Sequence, residues 1–575
     1  MIILGIHPGY HDACAALFDD YTMVAAVAQE RMTRRKSDGG SIPGEAIDEC
    51  LEIAGLSRAD VDVVAMGRGV LPWRYYSHFH GGRLIEGKVR TAIGRSKPKS
   101  MERELVRHGR TDSGNIFHAD RFLADFGFRP DCSVTFFNHH LAHALPTLFH
   151  TGWENALLYT ADGGGDNVQY SHRVFRDGKL DTLYGGDEEL LRPMRIDSLG
   201  LAYGFVTQAL GFRINRHEGK VTGLAALGEP VAYDDIARHF SVDGTGQVTS
   251  DFADNKAMRD FLHKVAEGVS REDLASSIQR VLEEFVIDSV RRLLDRHGVR
   301  HLGLSGGVFA NVRLNQRLAE ETPVDEIFVY PAMSDQGLAA GGVHQYLCER
   351  DGLTSWLGHG RRFETLYFGR DYTGVVDKHF AATADLERLP GAPAETAARL
   401  IGQDKAVAIY SHGMEYGPRA LGARSIMASA TDKNINDILN ARLERSEFMP
   451  FAPVVAADDA DTLFDIGRVT REASRFMTVT CNVRPEWRER IPAVVHVDGT
   501  ARPQVIARGE NPLYFDILRA YRDATGIPAL VNTSFNAHEE PIIDTPAQCA
   551  RALLDDRVDY VVTDTAVYGC RKPGT

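Results

Sequence analysis

A chain of 575 residues is too long for one hydrophobic core and divides into at least two domains. Its 43% hydrophobic and 25% charged residues are those of a soluble globular protein, and a net charge of -14 argues against tRNA or DNA as the main partner. Seven scattered cysteines, never spaced C-x-x-C, exclude a disulfide framework or zinc ribbon and fit a reducing cytoplasm. No run of about eighteen apolar residues exists to span a bilayer, and the first residues read as a strand rather than a signal peptide.

In chain order, apolar runs at 2–6, 13–18 and 23–27 predict a β-meander, followed by a helix at 44–54 and a strand at 61–66. Residues 83–110 carry nine Lys/Arg against three acidic residues with little apolar periodicity, which reads as a solvated surface insertion. The segment 274–294 has the apolar spacing of a core helix. It leads to a strand at 302–304, the turn Ser305-Gly306-Gly307, a helix from about Asn311, a strand at 327–330 and then Ser334-Asp335-Gln336-Gly337. Strand, glycine turn, helix, strand and Asp make a nucleotide-cleft pattern, with ligands at strand ends. Residues 358–361 lack periodicity and read as a linker. Beyond them, strands at 406–410, 451–455, 476–481, 529–531 and 560–562, with helices near 434–442, 511–525 and 546–555, predict a second α/β domain. No internal repeat of about 20–50 residues is visible.

The stretch His139-His140-Leu141-Ala142-His143 places His139 and His143 on one helix face, one turn apart, where two imidazoles can share a metal ion. His140 is an alternative to His139, and spacing alone leaves the choice open. Asp162 closes an apolar strand and is followed by Gly163, Gly164, Gly165 and Asp166, a glycine turn able to bring N–H groups close to an anion. Asp162 and Asp335 would add oxygen ligands, a mixed N/O set suited to Fe(II), Mn(II) or Zn(II). With Gly306, Gly307 and Asn311, these pieces look like the actin/sugar-kinase/Hsp70 nucleotide fold. Lys220, in Arg216-His217-Glu218-Gly219-Lys220, could pair with an anion. In the second half, Arg419 and Arg424 lie five apart among Gly and Pro, a plausible anion fork.

The motifs HHLAHA, ADGGGDN, HEGKVTGLA, LSGGVFAN, YGPRALGARSI, MPFAP, HVDGTARPQ and LVNTSFN, in this order, resemble over essentially the whole length the O-carbamoyltransferases that decorate antibiotics and nodulation factors. The resemblance implies a metal- and nucleotide-binding domain over 1–355 and a YrdC-like α/β domain over 366–575. It implies formation of carbamoyl-adenylate from carbamoyl phosphate and Mg-ATP in the second domain, then transfer to a hydroxyl of a small molecule in the first. The implied metal ligands are His139, His143, Asp162 and Asp335, with iron the usual metal. Gly163–Gly165, Lys220, Gly306, Gly307 and Asn311 would face the nucleotide. Arg419, Arg424, Arg445 and Arg502 would grip phosphate, with Asn532 and Ser534 in the adenylate site. His11, oriented by Asp12, is the candidate general base, since an ordinary imidazole titrates near neutrality. Acceptor contacts are expected in 70–120 and 190–216, and a homodimer is left open. Four positions depart from the family pattern: Met449 stands for Arg, Leu443 for a basic residue, and Glu539 and His217 each for Gly. Rival readings are a tRNA threonylcarbamoyl-type transferase and a non-catalytic nucleotide switch; a hydrogenase-maturation relative would carry cysteine-rich zinc modules, absent here.

Overall fold

The computed structural model describes residues 1–77, 98–445 and 449–571. The first sheet is built from β1 (Ile2–His7), β2 (Cys14–Asp19), β3 (Thr22–Ala28), β4 (Val63–Gly67) and β5 (Ser133–Phe137), in the order β3-β2-β1-β4-β5. The second contains β6 (Asn155–Gly165), β7 (Val168–Arg176), β8 (Lys179–Tyr184), β9 (His301–Ser305) and β10 (Glu326–Val329), in the order β8-β7-β6-β9-β10. Each is an antiparallel three-strand meander whose first strand continues into two parallel neighbours. The same topology therefore occurs twice, a duplication carried by polarity pattern rather than residue identity, which is why no repeat is legible in the sequence. It is the actin/sugar-kinase/Hsp70 arrangement expected from the motifs.

Five helices position the site: α1 (His139–Phe149), α2 (Glu218–Ala225), α3 (Arg271–His297), α4 (Val312–Glu321) and α5 (Leu338–Asp351). Helices α1 and α5 pack on each other between the two sheets, α5 against β1 and β4, α1 against β6 and β9. Helix α3 is the expected core helix, extended at both ends. Ser270 caps it by accepting from the Asp273 N–H, and Gly298 ends it in the left-handed conformation. Leu274, Ile278, Val281, Leu282 and Val286 bury its inner face.

The second domain is a mixed sheet of eight strands: β11 (Leu386–Leu389), β12 (Val407–Tyr410), β13 (Arg424–Ser429), β14 (Ala452–Ala456), β15 (Gln504–Ile506), β16 (Ala529–Ser534), β17 (Tyr560–Val562) and β18 (Val567–Cys570). Their order is β11-β18-β17-β12-β13-β16-β14-β15. Two expectations change here. Strand β13, absent from the expected strands and read only as part of an anion fork, is central, paired to β12 and β16. Of the strand expected at 476–481, only Cys481–Asn482 is extended into a ladder. Its apolar side chains instead cover the seam with the first domain, where the Thr478 carbonyl accepts from Asn315 and the Thr480 N–H donates to Val312. Of the basic stretch 83–110, residues 83–97 lie outside the described ones. The remainder is no solvated insertion: Lys99–Ser100 pairs with Val70–Leu71, and Met101–His108 is a helix with Met101, Glu104 and Leu105 buried.

Candidate active site

Helix α1 starts directly after β5. Asn138 caps it by accepting from the Leu141 N–H, and Asp166 accepts from the His139 N–H at 2.7 Å while pairing with Arg68. This fixes the first turn and brings His139 edge-to-face with His143, ring centroids 4.8 Å apart. Asp162, near the end of β6, approaches His143 Nε2 with Oδ2 at 3.3 Å. Asp335, in a short turn after β10, presents Oδ1 at 3.8 Å from His139 Nε2 and 3.7 Å from His143 Nε2. One ligand atom from each of the four lies within 4.8 Å of every other. His139 Nε2, His143 Nε2 and Asp335 Oδ1 are buried without a hydrogen-bond partner. Buried orphan polar atoms are costly, so two carboxylates and two imidazoles converging on one point fit a cation. The His139/His140 ambiguity resolves: both ring nitrogens of His140 are engaged, Nδ1 with Thr160 and Nε2 with the Val168 carbonyl, so His140 belongs to the core.

The glycine segment is not a simple turn. The β6–β7 register breaks between Ala161 and Gly165, and the chain reverses at Asp166-Asn167, both left-handed (φ 50° and 67°), a two-residue hairpin of the I′ kind. Gly165 must lack a side chain, because a Cβ there would lie 2.3 Å from the His139 ring. The N–H groups of Gly163 and Gly307 donate to Asp162 Oδ1 (2.6 Å) and Oδ2 (3.0 Å), and that of Gly306 donates to Met333. Gly163 and Gly307 thus hold the Asp162 carboxylate, a candidate metal ligand, rather than offering their N–H groups to phosphate. Gly163 and Gly307 still wall a cavity of about 340 Å³, with Asp162, Asp335, Leu282, Val308 and Asn311; Gly164, Gly165 and Gly306 do not. Asn311 caps α4 and donates to Gln279, so its carboxamide is largely committed.

His11 and Asp12 stand at the mouth of this cavity, Nδ1 to Oδ2 3.1 Å. Burial opposes protonation of His11, but the Asp12 hydrogen bond and the charges of Asp335 and Asp162 outweigh it and raise the imidazole to about 10. A cation on Asp162 and Asp335 would remove two of these supports and leave the Asp12 hydrogen bond, the largest of them.

A second cavity, about 440 Å³, lies between the domains and shares wall residues Asp12, Arg216, Gly219, Ser334, Pro418 and Arg419 with the first. Lys220, Arg419, Arg445, Arg502, Asn532 and Ser534 line it. Burial, with Arg502 alongside, pushes the Arg419 guanidinium below its ordinary value, the mark of a cation short of a counter-ion. Arg445 donates to Thr533, Ser534 and Asn536 and so braces the end of β16. Asn532 donates to Gln504 and Ala420, leaving Oδ1 buried without a donor. Arg424 must be removed from the anion-gripping set. It is fully buried, lies over the Tyr410 ring, and donates to the Ser411, His412 and Ala423 carbonyls. Leu443 is core, while Met449 lines the cavity. The other two departures meet: His217 Nε2 lies 3.0 Å from Glu539 Oε1, and Glu539 Oε2 accepts from Arg213 and Arg216, both at 2.9 Å, across the domain seam.

Sequence reasoning missed Glu30 and Lys36 in the second cavity, and assigned no role to His496, which opens the HVDGTARPQ motif and lines that cavity, or to His7 beside the first. The dense run Glu30-Arg31…Arg34-Arg35-Lys36 after β3 was the available signal for the first two. None of the seven cysteines is bonded, and no helix among the described residues is long and apolar enough to cross a membrane.

Comparison with known proteins agrees. The "Carbamoyltransferase N-terminus" family model matches residues 2–77 and 123–343, and "Carbamoyltransferase C-terminus" matches 398–569. The nodulation protein NolNO of Sinorhizobium fredii is 31% identical over 96% of this chain and 78% of its own. NolO of Bradyrhizobium diazoefficiens is 30% identical over 74% of this chain and 77% of its own. Among solved structures, a ROK hexokinase from Thermus thermophilus (TM-score 0.31, 14% identity, 61% of this chain and all of that one) and full-length HypF in phosphate- and nucleotide-bound form (TM-score 0.31, 13%, 61% and 56%) are more distant. With both family models matched in order around one doubled sheet and one mixed sheet, this chain belongs to the carbamoyltransferase family and is a carbamoyltransferase.

Proposed function

We propose that the enzyme is an ATP-dependent O-carbamoyltransferase working in two steps. The supporting observation is the shared wall: a basic cavity between the domains abuts a carboxylate- and imidazole-lined cavity in the first. In the basic cavity carbamoyl phosphate loses phosphate to water, and the carbamate oxygen attacks the α-phosphorus of Mg-ATP, giving carbamoyl-adenylate and pyrophosphate. Arg419 and Arg502 neutralise the phosphate oxygens, Arg445 braces the adenylate strand end, and Asn532 Oδ1 accepts from the carbamoyl N–H. Crossing the wall at Arg419 keeps the mixed anhydride from bulk water. In the first cavity an acceptor hydroxyl gives its proton to His11 Nε2, held by Asp12, as its oxygen attacks the carbamoyl carbon and AMP leaves. A cation at His139, His143, Asp162 and Asp335, with Fe(II) first among candidates, would supply Lewis acidity toward developing negative charge. We place the reaction in the cytoplasm, where both substrates are made, and take the acceptor to be a hydroxylated small molecule. Pyrophosphate release is expected only when ATP and carbamoyl phosphate are both present. Release from ATP alone, or none from the pair, overturns the reading. Intact-mass screening of hydroxyl compounds for one added carbamoyl group then identifies the acceptor.

A further inference from the structure

One buried group beside the metal cluster has no role so far. His7 ends β1, is 5% exposed, and both its ring nitrogens are buried without a hydrogen-bond partner. Leaving such atoms unmatched costs about 1–3 kcal/mol each, so a histidine there calls for a function. Its Nε2 lies 3.5 Å from Asp335 Oδ2. The other oxygen, Oδ1, is the one that faces His139 and His143. His7 is also outside the set of four ligands whose atoms lie within 4.8 Å of one another. Two glycines keep the ring's edges clear: a Cβ on Gly9 would fall 2.4 Å from Nε2, and one on Gly67 2.8 Å from Nδ1.

We propose that His7 is a positioning residue for the metal site. Its Nε2–H donates to Asp335 Oδ2, which turns Oδ1 toward the cation and holds Asp335 as a one-oxygen ligand. A carboxylate tied in this way cannot swing to bind through both oxygens, so a coordination position stays open for substrate. Outer partners of this kind set ligand orientation and affinity. The inference rests on the cluster being a metal site and not on the reaction carried out there.

The test uses the full chain, with Fe(II), Mn(II) and Zn(II) as probes in chelator-competition titrations. X-ray absorption counts imidazoles on the loaded protein. Wild type should show two imidazoles. His7→Leu should weaken binding about 10- to 100-fold. His7→Gln, whose amide nitrogen reaches about as far as Nε2, should stay within about threefold of wild type on the same reasoning, and His7→Asn, which is too short, should behave like His7→Leu. The Gln/Asn contrast decides the matter even where the Leu variant does not fold. Three imidazoles in wild type, falling to two in a His7 variant, would overturn the proposal by making His7 a ligand. Equal affinity in all variants would reduce it to packing. Failure of wild type itself to bind any of the three ions would instead remove the metal site, a separate result.

Discussion

At the candidate metal cluster, His139, His143 and Asp335 turn buried, partnerless atoms toward one point that Asp162 also faces; across the seam, the residues expected to hold an anion are divided in use. Arg419 faces the cavity with burial working against its charge, whereas Arg424 gives its Nη1 to backbone carbonyls away from the cavity and Arg445 serves the end of β16. The lesson is chemical. Imidazoles and carboxylates at fixed spacing have few structural uses that bring them together, so their pattern announces a site. A guanidinium offers five donors and serves equally well as an internal brace, so an arginine motif mixes ligands with scaffolding.

The sharpest way to break this contrast is at the cluster. Asp162→Asn or Asp335→Asn should abolish stoichiometric metal and lower carbamoyl transfer on the order of 10³-fold, the worth of several kcal/mol of charge stabilisation. Pyrophosphate release in the second domain should remain within about twofold on the same argument, and parallel loss of both steps would show that the two cavities are not separable. Next comes the arginine pair. Arg424→Ala should unfold the domain at lower denaturant, by about 3 kcal/mol, because it strips buried carbonyls of their donor. Arg419→Ala should leave the melting temperature nearly unchanged and raise the KM for carbamoyl phosphate. The reverse outcome, a stable but inactive Arg424 variant, would restore Arg424 to the anion site.

A smaller effect tests the core around the cluster. Burial pushes His150 and His172 down to about 3, opposed at His150 by the Arg361 carbonyl and reinforced at His172 by Arg173. Below the ordinary histidine value of 6.5 the unfolded chain binds these protons and the native one does not, so stability rises with pH between about 3 and 6.5. Acidification should cost about 1.4 kcal/mol per pH unit for each residue across that window. Denaturant titrations of wild type and His172→Phe at pH 7 and pH 5 should differ in slope by one such contribution; identical slopes would contradict it.

Much of the fold was legible in the sequence, because long apolar runs such as β1, α3 and β17 are buried on the faces their spacing predicts. The cluster of side chains that could hold a metal was legible for the same reason: His139 and His143 need only a helix, and Asp162 and Asp335 only strand ends. What escaped was whatever depends on non-local pairing. Strand β13 hid behind the Gly417, Arg419 and Gly422 that precede it, residues 476–480 look like a strand but cover a domain seam, and the Gly163 and Gly307 N–H groups turn out to serve a carboxylate. His7 could be given no role because its neighbour Asp335 lies 328 positions later in the chain.

The Glu539 contact with Arg213, Arg216 and His217 carries one more consequence. Glu539 sits at φ 59°, a left-handed backbone that a side chain occupies at a penalty of about 1–3 kcal/mol and glycine adopts freely. Replacing it with glycine would relax that strain while deleting three charged contacts, so the melting temperature should barely move even as the two halves lose a tether. Raising ionic strength should mimic the substitution reversibly, since partly exposed pairs fade once the screening length falls to about 3 Å near 1 M salt. Folding and interdomain grip thus respond to different knobs, and added electrolyte turns only the second.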